Sequence, residues 1–164
     1  MASKEKIFAQ LIEEHQGLII KVSRLYTNTL EDEEDLFQEI VLQLWKSYDS
    51  FTGGSKISTW MYRVALNTAI TLFRKKNRSP QSADFCENTF EKIEQPTNEK
   101  QQQIDLLYTV IKKLPKIERA IVMMYLDEQP YKEIADTLGI SEVNARVKMN
   151  RLKKTLKEMM EKYA

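Results

Sequence analysis

Tyr131-Lys132-Glu133-Ile134-Ala135-Asp136-Thr137-Leu138-Gly139-Ile140-Ser141 is the stretch on which the fold turns. The segment reads as a short helix that ends at Gly139, the residue best able to adopt the left-handed conformation that stops a helix. Ser141 then offers a side-chain oxygen to cap the helix that follows. In that helix Ala145, Met149, Leu152 and Leu156 recur at spacings of four, three and four, which is one apolar stripe of an α-helix. A short helix, a Gly turn and a longer capped helix make a helix-turn-helix pattern. Upstream, Ile104, Leu107, Tyr108, Ile111 and Leu114 keep helical period. Pro115 stops that helix or starts the next, whose buried stripe is Ile117, Ala120, Ile121, Met124 and Tyr125.

The N-terminal half is helical by the same rules. Ile7, Phe8, Leu11, Ile12, Leu18, Ile19, Val22 and Leu25 predict an amphipathic helix or a helix pair interrupted near Gly17. The acidic run Glu31 to Asp35 suits a helix N-terminus, because carboxylates complement the dipole there. Leu36, Ile40, Val41, Leu44 and Trp45 continue that helix to about Tyr48. Asp49 to Ser55 is a loop by its Gly53-Gly54 pair, and Ser58 or Thr59 is expected to cap a third helix running through Arg74. Residues 79–103 open with Ser-Pro, contain Pro96 and Gln101-Gln102-Gln103, and hold too few apolar residues to fold alone. The expected organisation is all-α: a helical domain over residues 1–78, a linker over 79–103 and a helix-turn-helix domain over 104–164.

Composition narrows the function. The chain has 164 residues, 42% hydrophobic and 30% charged, with a single Cys and a single His. Cys86 and His15 alone cannot build a disulfide framework, a zinc site or a His-based catalytic triad, so no metal site, cofactor or catalytic residue is expected. Nor is there a Gly-x-x-x-x-Gly-Lys-Ser/Thr phosphate loop. The absence of a long apolar run and of a basic-then-apolar N-terminus predicts a cytoplasmic protein with no membrane insertion.

The near-neutral net charge of +1 hides segregation. Residues 1–50 carry 5 Lys+Arg against 10 Asp+Glu, residues 51–80 carry 6 against 0, residues 81–107 carry 2 against 6, and residues 108–164 carry 12 against 8. Two basic blocks separated by acidic ones suggest two polyanion contacts and another surface turned elsewhere. A coil of about 24 residues has a root-mean-square span near 27 Å and a contour near 80 Å. The blocks could touch one duplex one to two turns (~35–70 Å) apart only if a large partner holds the domains open.

Three constellations carry the chemistry. On the last helix, Asn144, Arg146, Val147, Asn150 and Arg151 point away from the apolar stripe, with Lys148, Lys153, Lys154 and Lys157 around them. Arg pairs bidentately with guanine, Asn with adenine, and Lys neutralises phosphate, so this helix fits a major groove. A merely solvated basic face is the plain alternative. Beside the Gly53-Gly54 loop, Trp60, Tyr62 and Phe73 mix with Arg63, Arg74, Lys75, Lys76 and Arg78, a combination suited to stacking unpaired bases and following a strand. Trp60 and Tyr62 are equally explained as core aromatics. Asp35, Gln38 and Glu39 form a polar stripe that could dock on a partner, or could simply keep an acidic face soluble.

Taken in order, Asp35-Leu36-Phe37-Gln38-Glu39, Tyr48-Asp49-Ser50-Phe51, Ser58-Thr59-Trp60-Met61-Tyr62-Arg63-Val64-Ala65-Leu66-Asn67 and the C-terminal helix-turn-helix resemble bacterial RNA polymerase sigma factors of the extracytoplasmic-function type. The resemblance spans nearly the whole chain. It implies a two-domain initiation factor, not an enzyme, that binds polymerase core at the largest subunit's clamp and at the flap and takes promoter DNA as partner. Position by position, Asp35, Leu36, Gln38 and Glu39 become core-binding candidates. The loop that captures a flipped base of the −10 element maps to Thr52, Gly53, Gly54, Ser55, Lys56, Ile57 and Ser58, with Trp60, Arg63 and Asn67 nearby. The −35 reader maps to Asn144, Arg146, Val147, Asn150 and Arg151, with Lys148, Lys153 and Lys154 for phosphates. An anti-sigma factor that occludes the two domains is a further partner the resemblance allows. The loop here reads Gly53-Gly54-Ser55-Lys56-Ile57 where many relatives carry an acidic residue and an aromatic, so their base preference does not transfer. The residues alone also admit a free-standing helix-turn-helix repressor or activator, and a protein-only adaptor whose basic helices bind an acidic partner.

Overall fold

The computed structural model describes residues 3–77 and 98–163, with side chains described to Leu72 in the first stretch. These residues form α-helices and one 3-10 turn, with no strand among them. They fall into two compact units, one on each side of residues 89 and 90.

The first unit holds α1 (Lys4–Glu14), α2 (Gln16–Leu25), α3 (Leu30–Ser47), the 3-10 turn Tyr48–Ser50 and α4 (Ile57–Asn77). The N-terminal stretch is therefore a helix pair, and the break lies at His15, whose backbone N–H bonds back to Leu11 and Ile12. The Thr29 hydroxyl accepts from the Asp32 N–H at 3.0 Å, and Glu31, Asp32 and Glu33 fill the first turn of α3. Cap and dipole thus act together at this helix start. Helices α2, α3 and α4 pack on one another around Ile19, Val22, Leu25, Ile40, Leu44 and Leu66, all essentially without solvent access. Each such side chain contributes about 1.5–3 kcal/mol by leaving water. Helix α1 is pinned by Phe8, whose ring meets Trp45 edge-on at 5.0 Å and Tyr48 at 5.3 Å.

Helix α4 starts one residue before the expected caps. The Trp60 N–H already bonds the Lys56 carbonyl at 3.1 Å, so Ser58 and Thr59 lie inside the first turn and Thr59 is buried. Its basic end, with Phe73, Arg74, Lys75, Lys76 and Arg78 among the single-strand candidates, lies outside the residues whose side chains are described, as do Cys86 and most of the linker.

The second unit holds α5 (Glu99–Lys112), α6 (Lys116–Leu126), α7 (Tyr131–Leu138) and α8 (Glu142–Tyr163). Helix α5 begins inside the stretch expected to be linker: Asn98 accepts from the Gln101 N–H at 2.8 Å, so residues 99–103 are helical. An Asx cap and an acidic first turn outweigh the low apolar content of the Gln run. Pro115 occupies the N-cap of α6, where its missing N–H costs nothing. Helices α5, α6 and α7 all pack against α8. The α7–α8 turn is built as expected. Gly139 is left-handed at φ 71°, the N–H groups of Gly139 and Ile140 both bond the Ala135 carbonyl, and the Ser141 hydroxyl accepts from the Asn144 N–H at 3.0 Å. The core of this unit is Val110, Ala120, Ile121, Val122, Met124, Ile134, Ala145 and Met149.

Candidate functional site

Helix α3 presents Asp35 and Gln38 to solvent and Glu39 half-buried, its carboxylate accepting from the Gln43 amide at 2.9 Å. Leu36, beside this stripe, is only 3% exposed and belongs to the core. That corrects its assignment to partner contact, because α2 and α4 pack over its side of α3. On one side of the stripe, Ile20, Ser23, Glu33, Glu34, Phe37 and Gln38 line an open, largely apolar cleft of about 270 Å³. On the other, a more polar cleft of about 280 Å³ is lined by Glu39, Gln43, Asn67, Thr68, Thr71 and Leu72. It brings Glu39 and Asn67 together, although they stand far apart in sequence.

In the loop before α4, Thr52, Gly53, Gly54 and Lys56 are exposed, and Ser55, Ile57 and Ser58 are half-buried. Gly53 adopts φ 82°, a conformation that L side chains rarely take. Asn67 is exposed and Arg63 half-buried on α4. Trp60 is only 8% exposed, with its ring 5.1 Å from Phe51 and 6.4 Å from Tyr48. Tyr62 is fully buried. The core explanation therefore holds for both aromatics, and direct base stacking by Trp60 is corrected: the ring braces the loop from beneath. Phe8, Trp45, Tyr48, Phe51 and Trp60 form one aromatic chain. Lys4 closes its end, with Nζ 4.5 Å above Trp45 and 2.9 Å from the Asp49 carboxylate.

On α8, Asn144, Arg146, Val147, Asn150, Arg151, Lys153 and Lys154 are all exposed and Lys148 is half-buried. The expected outward face is the observed one. Two of these cations are held in place by partners that the apolar stripe does not announce. The Arg146 guanidinium lies 5.1 Å from the centre of the Tyr131 ring and 3.3 Å from the Glu142 carboxylate. Lys153 Nζ stands 4.6 Å above the Tyr125 ring, and a hydrogen bond with Tyr125 holds its pKa above the ordinary lysine value of 10.5. The tyrosines stand 6.1 Å apart, one at the end of α6 and one at the start of α7. Arg146 and Lys153 are seven residues apart, two turns of one face, and that spacing was the available signal. No cluster of His, Cys, Asp and Glu among the described residues could hold a metal ion. No described helix is long and apolar enough to cross a membrane.

Two helical units, one ending in a capped helix-turn-helix with a cationic outer face, define the class of helix-turn-helix regulators. Residues 11–79 match the family described as Sigma-70 region 2, and residues 104–156 that described as Sigma-70, region 4. The chain is similar to the ECF RNA polymerase sigma-E factor of Escherichia coli strain K12, 31% identical over 145 residues, covering 80% of this chain and 74% of that one. It also resembles the ECF RNA polymerase sigma factor SigG of Mycobacterium tuberculosis, 44% identical over 54 residues; that match covers 33% of this chain and only 15% of the length of the mycobacterial protein. Among solved structures, the sigma factor RpoE in complex with the anti-sigma factor NepR from Bartonella quintana superposes with a TM-score of 0.77 at 19% identity, covering 95% of this chain and 98% of that one. CnrH in complex with the cytosolic domain of CnrY gives 0.72 at 17% identity, with 99% and 92% covered. The chain belongs to the sigma-70 family, in its extracytoplasmic-function group. Sigma factors are regulatory proteins rather than catalysts.

Proposed function

We propose that this chain binds RNA polymerase core, directs it to promoters and helps to open them, working in the cytoplasm where polymerase acts. The reading rests above all on one observation: both sigma-70 regions match, in order, over the two helical units. The domain roles follow, with residues 1–78 for core binding and the −10 element and the C-terminal unit for the −35 element. Asp35, Gln38 and Glu39 carry polymerase docking at the clamp. Lys56, Arg63 and Asn67, around the loop from Thr52 to Ser58, carry −10 capture. Arg146, Val147, Asn150 and Arg151 read the −35 element, and Lys148, Lys153 and Lys154 neutralise phosphate. An anti-sigma factor is a further partner, as for the Bartonella quintana sigma factor RpoE in its complex with NepR.

The energetics suit a mechanism without ATP. Extruding a base from the duplex costs a few kcal/mol. Contacts from the loop, from polymerase and to the strand backbone offset that cost. With Trp60 serving as a brace, the captured base meets the exposed backbone of Gly53 and Gly54 and the polar side chains around it.

The test is run-off transcription from genomic fragments with bacterial core polymerase. The wild-type chain is compared with Gln38→Ala/Glu39→Ala and with Arg146→Ala/Arg151→Ala. Specific initiation lost in both variants, with core binding lost only in the first, is the expected result. DNA binding that needs no polymerase would transfer the chain to the repressor reading.

A further inference from the structure

Helix α8 carries two exposed valines that no core contact explains. Val143 is 67% exposed and Val147 41%. Every other exposed residue from Glu142 to Lys157 is polar or charged. Valine is a poorer helix former than the Ala, Lys, Arg or Glu that would serve on a plain solvent face. Isolated exposed apolar residues are ordinary, but these two stand at i and i+4 and so form one ridge. Lys154, at i+11 from Val143, continues it. The ridge runs along the side of α8 opposite the buried stripe of Ala145, Met149, Leu152 and Leu156. Cations flank it, with Arg146 on one side and Arg151 and Lys148 on the other.

That surroundings set selects the occupant. A protein partner would need an apolar groove ringed by acidic groups to match a ridge bordered by cations, and two valines are too narrow a strip to hold a helix on a lipid surface. A polyanion with a local apolar feature fits. In the major groove that feature is the C5 methyl of thymine, since every other base edge there presents hydrogen-bonding atoms. We infer that Val143 and Val147 read thymine methyl groups in the −35 element, making Val143 a specificity-determining residue alongside the polar readers. This rests on the sigma-factor reading above. One turn of helix separates the valines by about 6 Å, so the thymines they meet lie within about two or three base pairs of each other.

The experiment uses holoenzyme reconstituted from core polymerase and the full chain. Bound duplexes are selected from random −35 sequences, and each thymine of the selected site is then replaced by deoxyuridine, which deletes only the methyl group. The expected result is a loss of about fourfold in affinity at each methyl contact, the effect of one buried methyl-sized group. Val143→Ala and Val147→Ala should each lose a similar factor on the thymine duplex and become insensitive to deoxyuridine at one position. Both changes improve helix propensity at exposed sites, so the variants fold, which circular dichroism verifies. Selected sites without thymine, deoxyuridine effects near unity, or effects unchanged in both variants overturn the inference while leaving the sigma reading intact. Failure of the holoenzyme to select any sequence overturns both.

Discussion

Replacing Gly139 by Ala isolates the turn on which the second unit depends. The residue sits at φ 71°, and a Cβ built there meets nothing within 4 Å. The whole cost is therefore backbone conformation, about 1–2 kcal/mol for an L residue in the left-handed region. In a unit of this size each kcal/mol lowers the melting temperature by roughly 4–8 °C. Asn tolerates the same region, so Gly139→Asn should lose less than half as much. The opposite experiment lies at the other end of α7, where Glu128 is held at φ 61° in the loop after α6. Glu128→Gly removes that strain and should raise stability by up to about 1 kcal/mol, despite the entropy glycine adds to the unfolded chain. The assay has a built-in control, because the only two tryptophans, Trp45 and Trp60, both lie in the first unit. Far-ultraviolet circular dichroism follows both units, while tryptophan fluorescence follows the first alone. Gly139→Ala should move the former and leave the latter in place. An unchanged dichroism transition for Gly139→Ala, or a destabilised Glu128→Gly, would refute the conformational argument.

Other perturbations test the two surfaces. Tyr131→Leu should weaken −35 binding severalfold by releasing Arg146 from its ring, whereas Tyr131→Phe keeps the aromatic face and should bind as wild type; equal losses in both would show that the hydroxyl matters instead. Trp60→Ala should destabilise the first unit by about 3–5 kcal/mol, as a buried aromatic does, while Trp60→Phe should retain promoter opening, measured by permanganate footprinting. The holoenzyme's affinity for promoter DNA should fall steeply with salt, because about six phosphate contacts made by this chain add about −5 to the slope of log K against log[salt]; Lys148→Ala/Lys154→Ala should make it shallower by about 2. The pH profile has a definite sign. Lys153 has its pKa raised by Tyr125, so the stability this pairing adds is fully present below about pH 10.5 and is lost only as pH rises through the higher folded value.

The starts of α4 and α5 were misplaced, but the start of α6 and the turn between α7 and α8 were legible in the sequence because each is decided within a few residues. The left-handed stop at Gly139, the Ser141 cap and the proline entry to α6 need no distant partner, and the apolar spacing of α8 already named the face that Asn144, Arg146, Asn150 and Arg151 occupy. Membership of the sigma-70 family was legible for the same reason, in short motifs of fixed order. Burial was less so. Whether Trp60 stacks on a base or lies beneath the loop depends on Phe51 and Tyr48, and Leu36 faces inward because α2 and α4 cover that side of α3. The Tyr131–Arg146 and Tyr125–Lys153 contacts and the approach of Glu39 to Asn67 likewise exist only once helices remote in sequence are packed. Local conformation follows from steric and hydrogen-bonding rules that a few neighbouring residues satisfy, whereas which face of a helix meets water is settled by what packs against it.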